Sequence, residues 1–248
     1  MTAAPRTVPD ALERRLRADA GRPLVTFYDD ATGERIELSV ATYANWVAKT
    51  AGLVQDELDV EPGSLVVLDL PTHWLGAVWL GAAWSLRLVV TDDAGLLSEA
   101  GLVVCGPDGL TEHAERAADS PVVALSLRPL GGRFTEALPT GVVDYGAVVL
   151  AQPDTFVPLE SVGADDVAWR DGQGTATQAD LLAEAVEAST VQPGGRLLTD
   201  VDPCSRAGLS TLLAPLVRDG STVWVRHADP GRWATRAAQE QATDLLRG

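Results

Sequence analysis

The sequence predicts an α/β protein built on two incomplete, doubly wound and mainly parallel sheets, and three features of its patterning point there. From residue 65 onward short apolar runs alternate with helical segments, the order that yields parallel strands with helices on both faces. The run 65–70 is apolar except for Asp69, as suits a strand covered on both sides. A hydrophobic fraction of 46% with 22% charged residues over 248 positions is that of a globular chain able to bury a substantial core.

The elements follow in order. A first helix is expected over 9–20. Runs 24–28 and 35–38, joined by Asp29-Asp30-Ala31-Thr32-Gly33, read as a β-hairpin. Ser39 then offers an N-cap to a long helix whose Tyr43, Trp46, Val47, Thr50 and Val54 recur at helical spacing. After the stop signal Glu61-Pro62-Gly63 come strand 65–70, helix 72–86, strands 88–91 and 102–105, helix 111–118 and strand 122–126. The helix 72–86 carries Trp74, Trp79 and Trp84 and is apolar nearly all round, which predicts burial in a sheet layer or at an interface. The stretch 127–164 is rich in Pro and Gly and has room for one helix, 142–150. It is the expected boundary between a first lobe, 1–160, and a truncated second lobe, 161–248. Strand 166–170, helix 177–189, strand 196–199, helix 205–218, strand 221–226 and a helix from Pro230 complete the pattern.

Charge and composition narrow the function classes. A net charge of −16 gives the field the wrong sign for nucleic acid or an anionic membrane surface, so neither partner is expected. The most apolar stretch, 74–84, is far short of the ~20 residues a membrane span needs. Residues 1–10 lack the apolar core of a signal peptide, and Cys105 and Cys204 are isolated from each other and from any histidine at ligand spacing. These features predict a cytoplasmic protein without a metal site. Lys49 is the single lysine among 19 Lys and Arg residues, so chemistry that needs a second lysine is excluded.

Two ordered segments resemble the front half of the adenylate-forming enzymes, the superfamily of acyl-CoA synthetases, luciferases and peptide-synthetase adenylation domains. The first is Leu38-Ser39-Val40-Ala41-Thr42-Tyr43 followed by Val60-Glu61-Pro62-Gly63-Ser64-Leu65 and on to Pro71, with the small-residue helix of Gly76, Gly81, Ala82 and Ala83 behind it. Ser64 stands where that family has Asp. The second is Pro215-Leu216-Val217-Arg218-Asp219-Gly220-Ser221-Thr222-Val223, followed by Asp229-Pro230 and Gln241-Ala242-Thr243. The resemblance implies the two-lobed fold of that family's N-terminal region. It also implies that a complete enzyme would continue well past Thr243 into an adenine-contacting strand, a Mg²⁺ segment and a domain with a catalytic lysine, so that half is expected to be missing.

The same resemblance directs attention to one loop. In the family a loop rich in Thr, Ser and Gly and ending in Lys-Gly joins a strand to a helix, and its hydroxyls and backbone N–H groups cradle ATP phosphates. Here only Asp171-Gly172-Gln173-Gly174-Thr175-Ala176 stands between the strand and Thr177. The loop is shortened, its hydroxyl run and lysine are gone, and Asp171 adds negative charge. Gly172, Gly174, Thr175 and Thr177 are what remains as a candidate nucleotide-binding set, and no residue is carried over as catalytic. A rival reading takes Gly172-x-Gly174-x-x-Thr177, with Asp200 ending the next strand, as a degenerate dinucleotide fingerprint. A hydrolase reading fails on Gly208-Leu209-Ser210-Thr211-Leu212, which lacks the closing glycine of a nucleophile elbow. His73, His113 and His227 are scattered, and His73 is expected to cap or border a helix.

The expectation is therefore a degenerate relative of the adenylating enzymes that is not a stand-alone enzyme, needs no cofactor and works through binding or interaction. A binder of acyl groups, acyl-adenylate, nucleotide or CoA completed by a separate C-terminal half is the alternative. A truncated second lobe would leave a sheet edge or apolar face open, so self-association or a protein partner is expected there.

Overall fold

The structure is a computed structural model that describes residues 4–248. The strands are β1 (Pro23–Asp29), β2 (Glu34–Ser39), β3 (Leu65–Asp69), β4 (Val89–Thr91), β5 (Ala100–Cys105), β6 (Val122–Ala124), β7 (Val142–Asp144), β8 (Val167–Asp171), β9 (Gly174–Thr177), β10 (Arg196–Thr199), β11 (Ser221–Arg226) and β12 (Asp244–Leu246). The helices are α1 (Val8–Asp19), α2 (Val40–Asp56), α3 (Trp74–Ser85), α4 (Leu110–His113), α5 (Tyr145–Val148), α6 (Gln178–Ala188), α7 (Ser210–Val217) and α8 (Pro230–Gln239). They form a seven-stranded sheet of order β7-β6-β5-β3-β4-β8-β9 and a five-stranded sheet of order β12-β10-β11-β1-β2. Every pairing is parallel except the two hairpins, β1–β2 and β8–β9, and each hairpin closes one edge of its sheet.

The mainly parallel α/β class follows the sequence reading, but both sheets cross the boundary expected at residue 160. The hairpin β1–β2 belongs to the sheet made by the second half of the chain, and β8–β9 belongs to the sheet made by the first. Strand β1 pairs with β11, placing Val25 opposite Thr222, because its residues from Leu24 to Phe27 are buried and need a covered position inside a sheet. Three short strands also depart from expectation. Residues 142–150 are not one helix, because Asp144 ends β7 and its side chain caps α5 by accepting the Gly146 N–H. Strand β9 lies where a loop was expected, and β12 pairs with β10 across a long sequence gap.

The centre of the molecule is α3. Every residue from Trp74 to Trp84 is buried, and the helix touches β1 of one sheet and β4 of the other. Its start is fixed by His73, whose Nδ1 accepts the Leu75 N–H at 3.2 Å. Glycine inside a helix costs about 1 kcal/mol relative to alanine, and two are kept here for close approach. A Cβ on Gly81 would lie 2.5 Å from the Tyr43 hydroxyl, and one on Gly76 would lie 2.6 Å from the Cys204 sulfur. The Tyr43 hydroxyl donates instead to the Ala77 carbonyl at 2.9 Å, which ties α2 to α3. The packing that results puts Phe27 and Trp224 of one sheet and Val66, Val90 and Trp169 of the other in a single hydrophobic cluster. Among the described residues no helix is long and apolar enough to cross a membrane.

Candidate functional site

In open parallel sheets ligands bind beyond the carboxyl ends of the strands, where connecting loops diverge. In the seven-stranded sheet this edge is formed by Asp69 at the end of β3, Asp92 and Asp93 after β4, Cys105 at the end of β5 and Asp171 at the end of β8. The loop after β10 reaches the same edge, since the Arg206 N–H donates to Asp92 Oδ2 at 2.9 Å. The loops of the two sheets thus meet around aspartates.

The predicted nucleotide-binding residues lie together here, in a different geometry from the one expected. Strand β8 turns back through Gly172 and Gln173 into antiparallel β9, so the glycines form a hairpin turn and do not open a helix. Gly174, at φ +148°, occupies backbone space that other residues rarely adopt. Thr175 is exposed on β9, paired in register with Arg170. Thr177 closes the strand and caps α6 in a reciprocal box, its hydroxyl accepting the Asp180 N–H while Asp180 Oδ2 accepts the Thr177 N–H at 3.0 Å. A dinucleotide fingerprint needs the glycine turn to lead straight into the helix N-terminus. An intervening strand removes that arrangement.

The turn's donors are already engaged. Asp171 Oδ1 accepts the N–H groups of Gln173 at 2.8 Å and Gly174 at 3.2 Å, and its Oδ2 accepts the Trp169 indole N–H at 2.8 Å. Asp93 Oδ2 reaches across from β4 to accept the Gly172 N–H at 3.0 Å. The Trp169 indole and the Gln173 and Gly174 amides hold the Asp171 carboxyl below the usual carboxylate range. Two carboxylates of the chain itself therefore occupy the three amides of the turn. Asp93 was not singled out in the sequence. The signal that could have found it was its place just after a parallel strand, at the edge where ligands bind.

Two further groups shape the crevice. Asp69, Asp92, Glu112 and His113 line a cavity of about 210 Å³, with His113 Nε2 at 2.9 Å from Asp69 Oδ2. Asp202 accepts the Cys204 N–H at 3.0 Å, and burial, aided by Asp92, raises its carboxyl to about 6. The other histidines have structural surroundings. Burial drives His73 down to about 3, so it stays a neutral cap, and His227 Nδ1 lies 2.9 Å from Asp29 Oδ1. Lys49 is engaged by other residues: it donates to the Gln152 carbonyl and pairs with Asp154 at 3.0 Å. Among the described residues no group of three or more His, Cys, Asp or Glu side chains is placed to hold a metal ion.

Sequence comparison decides the family. A "TIGR03089 family protein" from Mycobacterium tuberculosis (strain ATCC 25618 / H37Rv) is 38% identical over 248 residues, covering 95% of this chain and 96% of the relative. The chain belongs to the TIGR03089 family. No protein-family model matches the sequence. The fold of this family member is similar to the crystal structure of the Brucella canis acyl-CoA synthetase, with a TM-score of 0.78 at 17% identity. That similarity covers 97% of this chain and 47% of the synthetase, so the chain spans about half the length of the solved protein. The likeness establishes an acyl-CoA-synthetase-like N-terminal fold.

Proposed function

We propose that this chain is a non-catalytic member of the acyl-CoA-synthetase-like fold, acting by binding or interaction and not by adenylating a carboxylate. The observation that carries the proposal is the filled turn: the amides of Gly172, Gln173 and Gly174 are bonded to Asp93 and Asp171. Adenylation must stabilise charge developing on a transferring phosphoryl group, and aligned donors and cations supply most of that stabilisation. Losing one such donor costs about 10²–10³ in rate. Here the donors are occupied, carboxylates ring the crevice and the one lysine is engaged by Gln152 and Asp154. ATP–pyrophosphate exchange measured over a panel of carboxylic acids with Mg²⁺ is expected to stay at background. Exchange by the purified chain alone would overturn the proposal.

One observation favours a second reading. The aligned part of the synthetase is 47% of its length, which suits a binder of CoA, acyl-adenylate or nucleotide that a separate C-terminal half completes. Thermal shift with ATP, CoA and a non-hydrolysable acyl-adenylate separates the two. Stabilisation by any of them without exchange favours the half-enzyme, and flat melting curves at millimolar ligand remove it.

A further inference from the structure

The large apolar side chains left exposed among the described residues are unevenly placed. Leu245 and Leu246 lie on β12, and the other four, Leu130, Leu150, Val157 and Leu159, all belong to the stretch 127–164. Val157 and Leu159 are 81% and 84% exposed, at the crest of a segment that crosses the first helices. Beside this crest runs a groove of about 510 Å³, walled by Leu12 and Leu16 of α1 and Ala44 and Val47 of α2, with Phe156 and Pro158 along its other side. One face of the molecule thus carries an apolar ridge and an apolar hole next to each other. A two-fold pairing brings the same patch of both copies together, so the ridge of each can seat in the hole of the other.

We propose that this face is a self-association surface, with Val157 and Leu159 of each copy seated in the α1–α2 groove of the second. Charge favours a second copy here over the carboxyl edge of the seven-stranded sheet. At a net charge of −16 two copies repel each other. On the rim of this groove, however, Arg17 pairs with Glu13 and Lys49 pairs with Asp154, leaving only Asp10 uncompensated among the charged residues that line it. Across a two-fold axis such alternating signs can re-pair between copies, and the long side chains stay at the wet edge. The carboxyl edge of the seven-stranded sheet, by contrast, would set Asp69, Asp92 and Asp93 against their own kind. This surface lies apart from the filled turn and stands or falls independently of the reading of function. It also moves the contact expected on the second half of the chain to the face built by α1, α2 and 154–162.

Sedimentation velocity of the full chain across the micromolar range is the test, with three variants alongside. The wild type is expected to sediment as a dimer at high micromolar concentration. Val157→Asp with Leu159→Asp should give a monomer with unchanged far-UV circular dichroism, since both side chains are exposed in the single copy. Ala44→Trp, which fills the groove, should weaken the dimer by the order of tenfold or more expected from losing one buried apolar side chain. Leu245→Asp with Leu246→Asp should leave it intact. A wild type that remains monomeric throughout overturns the proposal, as does a dimer that survives the Val157/Leu159 change or is lost in the Leu245/Leu246 variant.

Discussion

Replacing Trp84 by alanine is expected to lower the unfolding free energy by about 3–5 kcal/mol, the range for removing a fully buried aromatic side chain. The side chain is wholly inaccessible and lies near the end of the central helix. Its indole N–H donates to the Ala168 carbonyl of β8 at 2.9 Å. Its own carbonyl accepts from the Gln178 amide at 3.0 Å, and Gln178 in turn accepts the Val8 N–H at 2.9 Å. One tryptophan therefore sits where α3, β8, α6 and α1 are fastened together. Trp84→Phe keeps most of the volume but removes the hydrogen bond to the Ala168 carbonyl, so a smaller loss of about 1–2 kcal/mol is expected. Urea denaturation separates the cases through the midpoint at unchanged m-value. A loss below about 1 kcal/mol for Trp84→Ala would contradict the central role given to α3.

That role was partly legible beforehand. A helix apolar on every side has no solvent face, and α3 lies between two sheets, with both helping to bury it. Local features were legible for the same kind of reason: the β1–β2 hairpin, the Ser39 cap and the His73 cap each depend on residues a few positions apart. What the sequence hid is pairing between distant segments. Nothing in Leu24 to Phe27 indicates that β11 is their neighbour, since an apolar strand suits any covered position. The arginine excess is similar. Arg15 is buried and donates to the carbonyls of Pro215 and Gly220, both at 3.0 Å, closing the C-terminal end of α7. Arg218 does the same for α6 by donating to the Val186 carbonyl at 2.7 Å. A planar, always charged fork suits several carbonyls at once better than an ammonium does.

The crevice shows the same division. The missing lysine and the shortened, acidic loop stand in the sequence, and both bear on phosphate binding. The hairpin does not, because Thr175-Ala176-Thr177 is too short to read as a strand until β8 is there to pair with it. Nor does the reach of Asp93, which lies 79 positions from the amide it engages. Sequence alone shows a short, acidic loop without a lysine. The structure adds that its amides are bonded to carboxylates of the same chain.

Asp202→Asn is expected to stabilise the protein near pH 7.5 by about 3 kcal/mol, following the ~1.4 kcal/mol that each unit of pKa difference represents. Burial raises the Asp202 carboxyl from 3.8 to about 6, with Asp92 adding to the shift and the Cys204 amide opposing it. Because the folded value is the higher one, the folded state binds the proton more tightly. Stability from this group is then fully present below about pH 4 and lost as pH rises through 6. Asparagine keeps an oxygen for the Cys204 N–H and cannot ionise, so it should avoid that loss. Unfolding free energies of both proteins measured from pH 4 to 8 should coincide at the acid end and separate across the interval between 3.8 and 6, with the variant above. Subtracting one curve from the other removes the contributions of groups that the substitution leaves unchanged. A difference that is flat with pH, or one that favours the wild type at pH 7.5, would show that Asp202 is ionised at little cost. The meeting of the two loops at this edge would then have to be more open to water than the hydrogen bonds of Asp92 and Cys204 describe.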